Sequence, residues 1–427
     1  MTIPWQHSAL GIMLGAGITV TAQASTLTDL LRQTLDNPGI AGRTLQLQAA
    51  TDDASGATLR YAGQASVFAG RNHFDSARVV GIFTPGVSPL PAPVAQDITQ
   101  YGIGYHLPVD VFGVIAAERE LATANQSIAQ LLLRQETLLR LHQTLTAYVR
   151  LQALAAQAEA LQTRQQQLDL YARRIREEVE LGRTAQVDLS LVQSDVARLA
   201  AQQRILEGNR RAALAMMKAS ADATEVVPDP VLLVPPMQSL SAQTSLPVAV
   251  AREQQGIAEA AAQKTRRSLL PSFSLDGQYT NYRGADVTPH AWAVGLNMNI
   301  PLDPVRMRGS SAATQRAAAA KGLAQAVEAD TLAQIATLEA NYQAAVGNAD
   351  ALDAEVGHRR AVVLVEREKW RLGAGTTEAL LYQERLLLET ENAATDARAQ
   401  AATAWSGMQL LLGTSATQYI ESLESQP

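Results

Sequence analysis

The 427-residue chain has no cysteine, which excludes disulfides, thiol nucleophiles, thiolate metal sites and a lipid-modified N-terminal Cys. Aromatic residues make up only 4% although hydrophobic residues reach 47%. The excess is Ala and Leu, a mixture that builds long helices with thin contacts rather than a thick globular core. There is no basic excess either: the net charge is −6. That disfavours nucleic acid as a partner, because a phosphate-tracking surface needs clustered Lys and Arg. HExxH, a Gly-rich phosphate loop and a GxSxG elbow are all missing. His73, His106, His142, His290 and His358 are scattered without the i, i+4 pairing that holds a metal. Met216-Met217 reads as helix packing. Neither an enzyme nor a cofactor or metal site is expected.

Long apolar runs are also rare. Ala9 to Val20 ("ALGIMLGAGITV") is apolar and is followed by Ala22-Gln23-Ala24, a small-x-small cleavage signal. The segment is short for a bilayer span and reads as a secretory signal cut after Ala24, although its n-region "MTIPWQH" has no Lys or Arg. A buried helix is the competing reading. No run of 18 apolar residues follows, so no transmembrane helix is expected.

What is present is written twice. "EEVELGRTAQVDLSLVQSDVARL" begins at Glu177, and "EKWRLGAGTTEALLYQERLLLET" begins 191 residues later at Glu368. In each, an Ala/Gln/Leu-rich run ends in Leu-Gly, crosses a few small or polar residues and resumes as an amphipathic run. "YGIGYHLPVD" (Tyr101 to Asp110) and "AVGLNMNIPLD" (Ala293 to Asp303) end in matching Pro-hydrophobic-Asp triplets 193 residues apart. A period near 190 residues is too long for a small-unit solenoid and reads as a duplicated half-molecule.

Alternation predicts the strands. Trp292, Val294, Leu296, Met298 and Ile300 share one face, with Ala293, Gly295, Asn297 and Asn299 on the other. Tyr101, Ile103, Tyr105 and Leu107 alternate with Gly102, Gly104 and His106, and Phe273, Leu275 and Tyr279 with Ser274, Asp276, Gln278 and Thr280. An apolar face with aromatics near its ends is the pattern of a lipid-facing barrel strand, which puts outer-membrane lipid against Trp292, Val294, Leu296 and Met298. A half-buried soluble sheet alternates the same way. Four strands cannot close a pore, and open sheet edges in hydrocarbon leave backbone groups unpaired, so other copies must complete the barrel.

Proline is absent from Phe112 to Leu181 and from Val305 to Leu372. About 65 helical residues at about 1.5 Å each make a rod near 100 Å, longer than any compact core. Leu154, Leu161, Leu168 and Ile175 recur every seven residues, as do Ile335, Tyr342, Ala349, Val356, Val363 and Trp370. These are coiled-coil seams. Asp303-Pro304 supplies an N-cap and a pre-set first turn, and Asp110 can cap the other rod.

The expected organisation is a signal peptide over 1–24 and a first half over 25–220, with strands near 61–70 and 99–108 and long helices near 111–181 and 187–220. A Pro-rich connector follows over 221–245. The second half, 246–413, has strands near 271–282 and 290–301 and long helices near 304–372 and 377–413, and residues 414–427 form a tail.

From about Leu27 to Gly413 the chain resembles the TolC-like outer-membrane efflux proteins, most specifically in "LGRTAQVDLSLVQSDVARLAAQQ", "RLGAGTTEALLYQERLLLE" and "NIPLDP". The resemblance implies a mainly α fold with a membrane β-barrel portion: a homotrimer with four strands per subunit in a 12-stranded barrel, above a coiled-coil periplasmic tunnel in a Gram-negative bacterium. It implies a passive conduit for drugs or metal ions, partnered by a periplasmic adaptor and, through it, an inner-membrane pump. A type I protein-secretion duct and a periplasmic coiled-coil adaptor or scaffold are the alternatives. By position, Leu181, Gly182, Arg371, Leu372 and Gly373 become adaptor-docking tips. Asp188, Glu378 and Glu384 become candidates for an acidic entrance gate, although Ala379 and Tyr382 stand where some members carry aspartates.

Overall fold

A computed structural model describes residues 26–82, 86–87, 91–231, 233–237 and 245–424. The expected signal peptide lies outside the described residues, as do 84–85 and 88–90 of the Pro-rich connection between the first two strands. Helices α1 (Leu27–Thr34) and α2 (Pro38–Leu59) lead into strands β1 (Gln64–Val79) and β2 (Val94–Val109), then into the rods α3 (Val114–Glu180) and α4 (Gln186–Ala221). The order then recurs: α5 (Leu246–Arg267), β3 (Ser272–Arg283), β4 (His290–Asn299), α6 (Pro304–Arg371) and α7 (Thr377–Leu412), followed by α8 (Ala416–Glu424). At 67 and 68 residues, α3 and α6 are each about 100 Å long.

Local chemistry places the handovers. Asp303 accepts a 2.8 Å hydrogen bond from the Val305 amide, with Pro304 pre-set in the first turn of α6. Asp110 accepts from the Ala116 amide at 2.9 Å and performs the same task for α3, whose N-cap Gly113 has φ 71° and no capping side chain of its own.

The four strands form one antiparallel sheet in the order β1-β2-β3-β4, leaving β1 and β4 as its two edges. The first hairpin differs from expectation. Residues 60–62 form a 3-10 turn and β1 begins only at Gln64, after Gly63 at φ 77°. β1 and β2 are each 16 residues long rather than about ten, with a register break between His73 and Arg78. Their outer ends carry Arg71, Asn72, His73, Asp75, Ser76 and Arg78. Along this part β1 is mostly exposed on both sides, so nothing imposed alternation on it, whereas Ile98 of β2, opposite Asn72, is buried.

Three apolar clusters run down the rods. One joins Leu31, Leu138, Leu141, Leu145, Trp405 and Met408 with Tyr419, Ile420 and Leu423 of α8. Residues 414–427, read from the sequence as a tail, therefore contain a packed helix. A second gathers Leu30, Tyr148, Leu151, Leu154, Met217 and Val226, and a third lies toward the far ends of the rods around Leu161, Leu168, Ile175, Val192, Leu199, Leu381 and Leu388. The connector packs on the rods: Tyr148 Oη accepts from the Asp229 amide at 3.0 Å, and the Tyr342 hydroxyl donates to the Pro235 carbonyl at 2.6 Å.

Candidate functional site

The sheet has two chemically distinct faces, fixed by its register. From the helix end outward, one face stacks Val109, Phe273 and Met298, then Leu107, Leu275 and Leu296. Next come Ala65, Tyr105 and Val294, then Val67, Ile103, Tyr279 and Trp292. The four candidate lipid-facing residues of β4 lie in these rows and are exposed, Trp292 at 73%. The other face is mostly polar or small, with Phe68, Tyr282 and Ile98 as its large residues. There Asp276 accepts hydrogen bonds from Ser274 and Asn297, both at 2.6 Å, and its carboxylate meets His106 Nδ1 at 2.5 Å. Among the described residues, Phe112 meets Phe273 and Ala62 meets the Tyr105 hydroxyl near the helix end of the apolar face, its outer rows are open, and nothing pairs the outer edges of β1 and β4. Exposed edges of this length are a site for further strands.

At the opposite end the two rods make the same turn. Gly182 has φ 71° and Gly373 φ 74°. The Arg183 amide donates to the Glu178 carbonyl and the Gly182 amide to Val179; Ala374 donates to Lys369 and Gly373 to Trp370 in the second turn. This pair of bonds is the Schellman motif, which needs a left-handed residue at its centre and so selects glycine. A Cβ at either glycine would meet no atom within 4 Å, so backbone conformation and not crowding imposes the residue. Leu181 and Leu372 stand at the tips 65% and 66% exposed. Arg371 is exposed and bound to Glu368, and its carbonyl accepts from Arg174 of the other hairpin at 3.3 Å. Arg174 in turn lies 4.4 Å from the centre of the Trp370 ring, which Tyr171 meets edge-on at 5.0 Å. The two tips are therefore tied side by side.

The three gate candidates do not come together. Asp188 is half-buried in the first turn of α4, where the helix dipole favours a carboxylate, and Glu378 is exposed in the first turn of α7. Glu384 is 3% exposed and engaged inside the protomer. Its carboxylate accepts from the Tyr171 hydroxyl at 2.7 Å and from Arg367 Nη2 at 2.9 Å, and it pairs with Arg164. Asp195 stands 3.8 Å from Arg164 and 3.0 Å from Arg198. Burial lowers the Arg164 pKa to about 10, which still leaves it protonated at neutral pH. Glu384 is thus an internal counter-ion rather than a free carboxylate at an opening.

Sequence reading overlooked Arg164, Asp195 and Arg367, although a signal existed. Arg164 sits between seam residues Leu161 and Leu168, Asp195 between Val192 and Leu199, and Glu384 between Leu381 and Leu388, each three after one and four before the next. A charge in an apolar seam position of three helices at once marks those helices as neighbours that exchange charge. Among the described residues, no three His, Asp or Glu side chains gather as a metal-binding group, and no helix is long and apolar enough to cross a membrane.

No family sequence model matches the chain, and no curated protein matches it in sequence. Solved structures do. The CmeC outer membrane channel of Campylobacter jejuni superposes with a TM-score of 0.79 at 12% identity, covering 98% of each chain. Its fold is that of the TolC-like outer-membrane channels. The outer membrane protein VceC of Vibrio cholerae matches at a TM-score of 0.76 and 17% identity, over 91% of this chain and 96% of VceC. The open state of the Neisseria gonorrhoeae MtrE outer membrane channel matches at 0.75 and 15%, over 91% and 89%.

Proposed function

We propose that the protein is the outer-membrane channel subunit of a tripartite efflux system, a passive trimeric conduit with no chemistry of its own. The observation that carries this reading is a four-stranded sheet, apolar on one face and open at both edges, mounted on rods about 100 Å long. An edge in hydrocarbon costs several kcal/mol per unpaired backbone group. Pairing β4 of one copy with β1 of the next removes every edge, and three copies give twelve strands, an even number in the observed range. The apolar face then meets the lipid of a Gram-negative outer membrane, and the polar face around Asp276 and Asn297 meets water.

The tips support the second half of the proposal. Leu181 and Leu372 expose large apolar side chains at the far end of the rods, next to Gly182, Gly373 and Arg371. Such paired knobs suit the docking of a periplasmic adaptor, which links the conduit to an inner-membrane pump carrying small molecules such as drugs or metal ions. Opening is a change of packing between the two hairpins at Tyr171, Arg174 and Trp370, a shift between two arrangements rather than unfolding.

The test has two readouts. Extracted from the envelope in detergent, the protein runs as a heat-sensitive trimer and conducts ions in a planar bilayer. With cysteines placed at Leu181 and Leu372, the tips crosslink to a periplasmic adaptor in cells. A well-behaved monomer in detergent-free buffer overturns the conduit.

A further inference from the structure

We infer that the outward face of β1 and β3, just above the apolar band, binds the phosphate group of an anionic lipid. The inference rests on the conduit reading, which makes this face the lipid side. The apolar rows end at Ala69, Tyr101, Asn281 and His290. From Val109 to Tyr101 the band rises about 27 Å along the strand at about 3.4 Å per residue. At a barrel tilt of about 40° that is about 20 Å of height, close to the apolar thickness such barrels show.

The next row on the same face is Arg71, Thr99 and Arg283, in direct register. With neighbouring strands about 4.8 Å apart, the two arginines start about 10 Å from each other across β2. Their side chains can converge on one phosphate, with the Thr99 hydroxyl between them. One row further out, His73 pairs with Asp97, and beyond the register break Arg78 faces Ala95 on this same side. Arg78 lies over the Phe74 ring at 4.6 Å. Asp97 lies in these rows, 3.7 Å from Arg71 and 3.3 Å from His73, and Asp75 stands in the register break between His73 and Arg78. Among the described residues, Arg283 and Arg78 have no carboxylate partner within ion-pair distance.

The other face argues that this charge is meant for lipid. At the same height it carries Gly70, Gln100 and Tyr282, then Asn72 and Ile98, all neutral. Basic residues serving cargo or solubility would stand on the water side as well. Here they stand on the lipid side alone, on a chain of net charge −6, immediately beyond a girdle of Tyr101, Tyr279 and Trp292. A lipid held by its phosphate at Arg71 and Arg283 lays its acyl chains along Ile103, Tyr279 and Trp292. Charge complementarity and the adjoining apolar band together select a lipid phosphate over a free one.

The experiment titrates the full-length protein in dodecyl maltoside with dioleoyl phosphatidic acid or dioleoyl phosphatidylcholine and counts bound lipids by native mass spectrometry. Phosphatidic acid is expected to bind preferentially. Arg71→Gln and Arg283→Gln should each weaken it about fivefold, and together about thirtyfold. Arg283→Lys, which keeps the charge, should stay near the parent, as should Arg43→Gln on α2. Equal binding of the two lipids, an undiminished double variant, or full displacement by a large excess of inorganic phosphate each overturns the lipid site while leaving trimer and conductance intact. Loss of the trimer in the parent protein overturns the conduit reading instead.

Discussion

Replacing Glu384 with Ala is expected to loosen the two hairpins where they are bound together. The parent carboxylate is nearly inaccessible and neutralises Arg164, itself 7% exposed in its side chain, while accepting from Arg367 and the Tyr171 hydroxyl. Without it, Arg164 keeps only Asp195 at 3.8 Å, and Asp195 is already shared with Arg198. Removing one partner of a buried ion pair costs about 3–5 kcal/mol, because the remaining charge stays out of water uncompensated. At about 1.4 kcal/mol per tenfold, amides of α3 and α7 around Leu161–Leu168 and Leu381–Leu388 should exchange with solvent about a hundredfold faster or more, in mass-spectrometric hydrogen exchange on the trimer. Substituting both members, Arg164→Met with Glu384→Leu, should recover most of that loss, since apolar residues of similar size suit the same seam slots. Arg367 is 37% exposed in its side chain and can reach water, and Asp195 retains Arg198. The coupling energy between the two sites should therefore reach about 2 kcal/mol or more. Exchange rates in Glu384→Ala within about threefold of the parent would refute the assignment of this carboxylate as an essential internal counter-ion.

Other outcomes follow from the same geometry. Gly182→Val or Gly373→Val forces a β-branched residue to a positive φ and should cost about 1–2 kcal/mol at the tip; efflux in cells should fall while trimer yield holds, and unchanged efflux would count against a docking role. Val294→Arg should impair membrane assembly by about 2–4 kcal/mol at mid-bilayer depth, and Trp292→Arg, in the aromatic girdle, by less. Asn297→Arg, one face away, should assemble and alter single-channel conductance, so equal tolerance on both faces would remove the lipid assignment. His142 hydrogen-bonds Ser406 at 2.9 Å, and burial holds its pKa below the ordinary histidine value of 6.5. The unfolded chain then binds the proton first on acidification, so the contribution is favourable above about pH 6.5 and is lost as pH falls through the lower folded value. The thermal midpoint should drop between neutral and mildly acidic pH by more in the parent than in His142→Gln.

The one-dimensional features of this fold were legible before any coordinates. Proline-free runs with a seven-residue seam need no partner information to declare themselves as rods, because helical hydrogen bonds close within the segment. The central parts of β2, β3 and β4 showed themselves by alternation, and Leu-Gly at the rod ends by the left-handed conformation that a helix C-terminus requires. The outer half of the β1–β2 hairpin did not, since its β1 strand is mostly exposed on both sides and carries no period. Nor did α8, whose Tyr419, Ile420 and Leu423 find their burial only against Trp405 and Leu141.

The sequence by itself determined the long rods, the turns that end them and the apolar face of the central parts of β2, β3 and β4, all consequences of spacing along one chain. Only the tertiary structure decided which charges meet. Arg164, Asp195, Arg367 and Glu384 come from four helices, and Glu384 passes for an entrance carboxylate until the neighbouring rods are seen to enclose it. Likewise Arg71 and Arg283, 212 positions apart in the chain, become one row only through strand register. The physical reason is common to both cases: helix and strand periods are local, whereas the partner of a charge is set by which segments pack together.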